Sequence, residues 1–473
     1  MKYILKVFIF VFSIHFSDAQ VFEVEKIKDA GDNDKRLNLV ILSEGYQNTE
    51  FEKFKVDAES IVSDMFSQSP FLEYADYFNV HIIKVPSNES GADHPGTGTD
   101  VTEPHNIPVT TVDTYFNATF DAFGYHRFLY YGIDYPDAAA AETKINAVLA
   151  ANFPAYDQAL ILVNTSEYGG TGGEFPISST GPLANELAIH ELGHSLFNLK
   201  DEYLLPDVFY AEAINMTQEN NTSLVKWKNW INKNGVNVYQ YGTTGVPSTW
   251  YRPHQRCKMR YLGDPFCSVC KEGMVEKIHD LISPIESYAP NNNTVDDPDF
   301  PLGFEVDLIK PEPNTLINTW TLNGNNFNNN VDNISVLESD LVIGSNTLTV
   351  SIEDDTNFLD IDNHNIGSHV YTIEWIINYS TLGIENIDSK SNKYNMSLYP
   401  NPANNILNLK FESEIRQNLS VQIISMDGKE IKAISIQGPN TNQIDISDLS
   451  TGIYITNFYS GNSLISSKRL VKN

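Results

Sequence analysis

The sequence predicts an α/β (α+β) domain followed by two small all-β sandwich domains. Three observations carry this reading: a β-α-β order near the N-terminus, a later run of short alternating strands, and two polar linkers between the pieces. From Arg36, "RLNLVILSEGYQ" is a β-rich apolar run ending in a turn, "TEFEKFKVDAESIVSDMFSQSPF" spaces its apolar residues as a helix does, and "FNVHIIKV" returns to strand. Another strand, "YDQALILVN", begins at Tyr156, and text of this type continues to Tyr288.

The polar, Pro-containing "APNNNTVDDPDFP" (Ala289 to Pro301) reads as a linker. After it, "NTWTLNG", "ISVLESDLVI", "NTLTVSIED" and "HVYTIEWIIN" are short strands divided by Asn and Gly turns, which predicts a β-sandwich of the immunoglobulin-like kind over 302–382. "IENIDSKSNKYN" is a second linker, and a last all-β segment runs over 396–473. No repeat of fixed period is present.

Bulk properties narrow the function. With 31 Lys and Arg against 61 Asp and Glu, the formal charge is −30, and no basic block interrupts it. Nucleic acid and anionic membrane surfaces are therefore not expected partners, since both require clustered cations. The N-terminus has Lys2 and Lys6, an apolar run through Phe16, then Ser17-Asp18-Ala19. Small residues three and one before a cut predict a signal peptide over 1–19. The run is too short for a membrane span, which needs ~20 residues, so no transmembrane helix is expected. The mature chain, 20–473, reads as exported.

The chemistry concentrates in "LAIHELGHSLFNLKDEY", Leu187 to Tyr203. Residues four apart share one helix face, so His190 and His194 can direct imidazole nitrogens at one Zn²⁺, with Glu191 beside them to deprotonate water. Ile189, Leu192, Leu196 and Leu199 form the adjacent apolar stripe that would bury the helix.

A third ligand is needed. Asp201 lies seven residues beyond His194, ~10 Å along a continuing helix, so the helix must end and the chain must turn back. The string is similar to the HExxHxxGxxH/D pattern of metzincin peptidases, in which a glycine with positive φ makes that turn. Here Phe197 occupies the glycine's position, but Asn198, the non-glycine residue most tolerant of the left-handed region, stands three before Asp201. Turn and ligand are each displaced by one residue. Asp201 is the expected third metal ligand and Glu202 the alternative.

Downstream, "RCKMRYLGDPFCSVC" offers Met259 and Tyr261 in a spacing that resembles the methionine turn of the astacin and serralysin groups. That resemblance implies a methionine beneath the metal and gives Tyr261 a catalytic, oxyanion-steadying role. All three cysteines, Cys257, Cys267 and Cys270, fall in this stretch. In an exported chain the odd count reads as one disulfide from Cys257 plus a free thiol, with a second, structural zinc on His254, Cys257, Cys267 and Cys270 as the alternative. The Gly-rich "EYGGTGGEF" lacks the lysine of a phosphate loop and reads as a flexible loop or as the border of a substrate-binding edge strand.

Together "VILSEGYQ", "SPFLEYADYFNVHIIKVPSNESG", "EYGGTGG", "HELGHSLFNLKDEY" and "CKMRYLGDPFCSVC" resemble the IgA-peptidase family of zinc metallopeptidases from Phe22 to Ile285. The resemblance implies a metzincin-like catalytic domain with zinc on His190, His194 and Asp201, and Glu191 as base. It does not carry immunoglobulin A over as the substrate. "LYPNPANNILNLKF", "SMDGKEI", "DISDLSTGIYI" and "SSKRLVKN" resemble the C-terminal sorting domain of the type IX secretion system of Bacteroidetes.

The expected function is a secreted zinc endopeptidase, monomeric, acting on extracellular proteins or glycoproteins and exported through the type IX machinery. Two rivals stand beside it: a non-catalytic adhesin or glycan-binding protein that keeps the fold, and a zinc hydrolase of non-peptide bonds.

Overall fold

The computed structural model describes residues 20–100, 107–132, 138–296, 298–362, 364, 369–380, 396–411, 419–436, 441–461 and 463–473. The expected signal peptide and the linker "IENIDSKSNKYN" lie outside the described residues. Mixed α/β structure comes first and is followed by β-rich segments. The chain divides into two compact units, one holding 1–293, 302–336 and 347–375, the other 294–301, 337–346 and 376–473.

The first unit is built on a six-stranded sheet. Its strands are β1 (Glu23–Lys28), β2 (Leu37–Glu44), β3 (Phe78–Lys84), β6 (Gln158–Val163), β7 (Gly170–Thr171) and β8 (Ile177–Ser179), while β4 (Ala118–Thr119) pairs with β5 (Tyr130–Tyr131) apart from it. The order is β1-β3-β2-β6-β8-β7. The inner strands are parallel, as β-α-β crossovers require, and both edges, β1 and β7, are antiparallel.

Every residue of β2 is buried. Leu37, Leu39 and Ile41 face a core shared with α1 (Phe51–Met65), α3 (Ala184–Ser195) and α4 (Ser268–Leu281), whereas Val40 and Leu42 face one shared with α2 (Ala138–Asn152). Alternation on a sheet covered on both sides thus turns a continuous apolar run into two cores. Each fully buried Leu, Ile or Val contributes roughly 1.5–3 kcal/mol.

The same unit includes the strands Leu302–Leu308 and Leu316–Leu322 and most of Gly344–Asp354. Trp320 and Trp375 stack at 5.8 Å in their core. A buried polar knot joins these strands to the α/β part. The Asp354 carboxylate accepts from the Tyr74 hydroxyl at 2.6 Å and from His279 Nε2 at 3.0 Å, and the Tyr77 hydroxyl donates to the Ile309 carbonyl.

In the second unit, the strands Met396–Tyr399, Ile406–Phe411 and Thr441–Asp445 form one sheet. The strands Leu419–Ser425, Glu430–Ile436, Gly452–Ser460 and Ser463–Lys472 form another. Leu407, Leu409, Val421, Ile423, Phe458 and Leu470 make up the core. No described helix is long and apolar enough to cross a membrane.

Candidate metal centre

Helix α3 carries His190, Glu191 and His194 beside the strands β7 and β8, and its apolar face, Ile189 and Leu192, is buried in the first core. The helix stops where the sequence reading places the turn. Asn198 has φ 56°, its N–H donates to the His194 carbonyl, and the Leu199 N–H reaches back to the Gly193 carbonyl. Two carbonyls at the helix end are thereby satisfied while the chain reverses. The reversal carries Asp201 back over the histidines, and the Tyr241 hydroxyl fixes it by donating to the Asp201 carbonyl at 2.7 Å.

Three donor atoms converge. His190 Nε2 lies 3.0 Å from Asp201 Oδ1, His194 Nε2 lies 3.2 Å from the same oxygen, and the two Nε2 atoms are 3.2 Å apart. Each imidazole is oriented from behind: His190 Nδ1 donates to the Lys258 carbonyl at 3.0 Å and His194 Nδ1 to the Leu199 carbonyl at 2.8 Å. That leaves both Nε2 atoms aimed at the common point, the arrangement in which backbone carbonyls orient ligating imidazoles. Tetrahedral ligands at ~2.0–2.1 Å from a zinc ion stand ~3.3 Å apart, so this donor set fits one. The Glu191 carboxylate lies within 4.8 Å of both imidazole nitrogens.

Electrostatics follow from the clustering. Burial opposes charge on His190 and His194, but hydrogen bonding to Asp201 and the charges of Asp201 and Glu191 outweigh it, raising both and pushing His194 to about 9. Burial would also raise Asp201, yet the two imidazoles hold its carboxyl well below the usual range. For Glu191 burial wins and its pKa is raised, although both histidines pull the other way.

Two glycines permit close approaches. A Cβ on Gly193 would stand 2.9 Å from Met259 Sδ, so the glycine lets the fully buried Met259 pack directly against α3 below the histidines. A Cβ on Gly172 would stand 3.0 Å from Glu191 Oε2 and 3.3 Å from His194 Cδ2. The Gly-rich stretch therefore runs from edge strand β7 straight across the site. Between it and the loop after α3 lies a cleft of about 1340 Å³, with Phe123, Tyr125 and Phe128 on one wall and Leu204 and Phe209 on another.

Not every candidate arrives. Tyr261 is half exposed, with its ring against the Arg260 guanidinium, and does not line the cleft. Tyr203, although 42% exposed, does line it, and partial burial of its hydroxyl, the charges of Asp201 and Glu191 and a hydrogen bond to Asp201 raise its pKa. Its signal was present in the "DEY" beside Asp201, but only the reversal of the chain shows which way it faces. Glu202 turns away from the histidines and lies, fully buried, beside the three cysteines. Those cysteines are all free, and Cys257 Sγ is 3.6 Å from Cys270 Sγ, so the expected disulfide is not formed. His254 Nδ1 instead engages the backbone of Arg256.

Residues 25–238 match the family model described as IgA Peptidase M64. The matched segment holds His190, Glu191, His194, Asp201 and Tyr203, and its similarity is to a peptidase family. Residues 397–473 match the Secretion system C-terminal sorting domain, the tail that delivers a chain by type IX secretion to the cell surface or extracellular space. Both resemblances read from the sequence are borne out.

No curated protein matches the chain. Among solved structures, dimeric latent PorU from Porphyromonas gingivalis is similar at 12% identity and a TM-score of 0.15, over 40% of this chain and 20% of its own. SGBP-B of the Bacteroides ovatus mixed-linkage glucan utilization locus is similar at 11% and 0.14, over 38% and 42%. A two-domain fibronectin type III segment of chicken tenascin is similar at 12% and 0.15, over 36% and 93%. The chain thus spans 20% and 42% of the first two structures it matches.

Proposed function

We propose that the M64 domain is a metzincin-like zinc endopeptidase, with His190, His194 and Asp201 as metal ligands and Glu191 as general base. The observation that carries this reading is the triangle of His190 Nε2, His194 Nε2 and Asp201 Oδ1, with sides of 3.0 to 3.2 Å and a buried glutamate beside it. When bound, zinc lowers the pKa of water towards ~7 and polarises a scissile carbonyl.

The residues of the chain supply the rest. Glu191, kept from water and with its pKa raised, accepts a proton from the attacking water and returns it to the leaving amine. Tyr203, on the cleft side of Asp201, donates to the developing oxyanion. Gly170 N–H is already taken by the Arg127 carbonyl, so an extended substrate aligns with the open stretch at Gly172 and Gly173. The aromatic wall from Phe123 to Phe128 favours apolar side chains in the substrate.

The test is cleavage of a denatured protein substrate by the purified full chain. Chelation should abolish cleavage and zinc should restore it, and Asp201→Ala should lose both metal and activity. Cleavage undiminished in the chelated chain would refute the proposal.

A further inference from the structure

We propose that Glu202, Cys257, Cys267 and Cys270 hold a second metal ion, a structural zinc-class cation in a site of three thiolates and one carboxylate. All four side chains are buried, and their ligand atoms lie within 4.8 Å of one another. Cys257 Sγ and Cys270 Sγ are 3.6 Å apart, and Cys270 Sγ is 3.3 Å from Glu202 Oε1. Thiolates at ~2.3 Å from a tetrahedral zinc stand ~3.8 Å from each other, and a thiolate and a carboxylate oxygen ~3.5 Å. A disulfide, at ~2.05 Å, does not describe these distances.

Two independent features point to a ligand. Glu202 Oε2 is fully buried and has no hydrogen-bond partner among the described residues, while Oε1 accepts from Asn215 Nδ2 at 3.1 Å. A buried carboxylate oxygen left unpaired is costly unless something not yet counted binds it. Second, the sulfurs are already organised as ligands. Cys267 occupies the N-cap position of α4, where the helix dipole favours a thiolate, and its backbone N–H donates to Cys257 Sγ at 3.3 Å.

The site has a purpose in the fold. Glu202 adjoins Asp201, and Cys257 lies two residues before Met259 and one before Lys258, whose carbonyl orients His190. An ion held by Glu202 and Cys257 ties the Asp201 loop to the Met259 turn. It also leaves no odd thiol in a chain bound for an oxidising space, because all three sulfurs are engaged at once. Glu202 and the cysteines, more than fifty positions apart, meet only in the folded chain, so the ion's binding free energy becomes folding free energy.

The site is tested separately from the catalytic reading with the full-length variant His190→Ala/His194→Ala, which cannot hold the first ion. Elemental analysis after dialysis should find about one zinc per chain, released when a mercurial titrates the thiols. The wild-type chain loaded with Co(II) gives a second readout. Thiolate-to-cobalt charge-transfer absorption should appear, which a site of two imidazoles and a carboxylate cannot produce, and Cys257→Ser should weaken it. A metal-free double variant whose three thiols titrate only on denaturation would overturn the proposal. So would a Cys257–Cys270 disulfide in the mass spectrum, or cobalt loading without charge-transfer absorption.

Discussion

The backbone N–H of Glu202 donates to the carbonyl of Met259 at 2.7 Å, across 57 residues of sequence (259 − 202). This bond joins the loop that delivers Asp201 to the turn that supports α3 from below. The candidate centre is thus assembled from two loops pinned to each other and a helix that Gly193 lets them approach.

The turn at Asn198 is the first place to test. Its φ of 56° is left-handed, which costs an ordinary L-residue roughly 1–2 kcal/mol. Asn198→Gly should leave the melting temperature nearly unchanged, and Asn198→Val should lower it and weaken metal retention. Thermal denaturation with elemental analysis checks both.

Gly172 makes a second prediction, about activity rather than stability. A methyl group there meets Glu191 Oε2 at 3.0 Å and the His194 ring at 3.3 Å. Gly172→Ala should lower kcat/KM by about tenfold or more while leaving the melting temperature within a few degrees, because the intruding atom displaces Glu191 and not the core. Equal kcat/KM in the variant would mean that Glu191 is not held where the reaction needs it.

Tyr203 and Tyr261 separate cleanly. Tyr203 faces Asp201 in the cleft, whereas Tyr261 is outside its lining. Tyr203→Phe should reduce kcat by about 10–100-fold with little change in KM, the signature of a donor used in the transition state. Tyr261→Phe should leave both constants unchanged. Steady-state kinetics on one peptide decides between the two residues.

The Asp354 knot predicts a pH dependence of stability. Burial would raise this carboxyl, but hydrogen bonds from His279, Thr315 and Tyr74 outweigh it and hold it low. A carboxylate whose folded pKa is depressed stabilises the fold above its unfolded pKa of ~3.9 and loses that contribution as pH falls through the folded value. Asp354→Ala should cost about 3–5 kcal/mol at neutral pH and flatten the stability curve on its acid limb. Urea unfolding at pH 7 and below pH 4 measures both effects.

Much of this was legible in local sequence. The i, i+4 histidines, the apolar stripe beside them, the left-handed Asn198 and the return of Asp201 all depend on residues within one short stretch, Ile189 to Asp201. The β-α-β order and the alternating strands were legible for the same reason, since periodicity is a short-range signal. What was not legible depends on distant partners. Glu202 reads as a second candidate beside Asp201 until the cysteines, more than fifty positions on, are seen to surround it. The cysteines read as a disulfide until their sulfurs are found 3.6 Å apart. Gly172 looked like a flexible loop residue because nothing local records that Glu191 lies against it. Asp354 gave no signal, since its partners Tyr74 and His279 come from two other elements.

The central claim is tested most directly by one comparison: peptide cleavage by Glu191→Gln and by the unaltered chain, each with its bound zinc quantified. Glutamine keeps the shape of the side chain and cannot take a proton. The account predicts equal zinc content and a fall in kcat of about 10²–10⁴-fold. Cleavage by Glu191→Gln at the unaltered rate, with zinc in place, would contradict it.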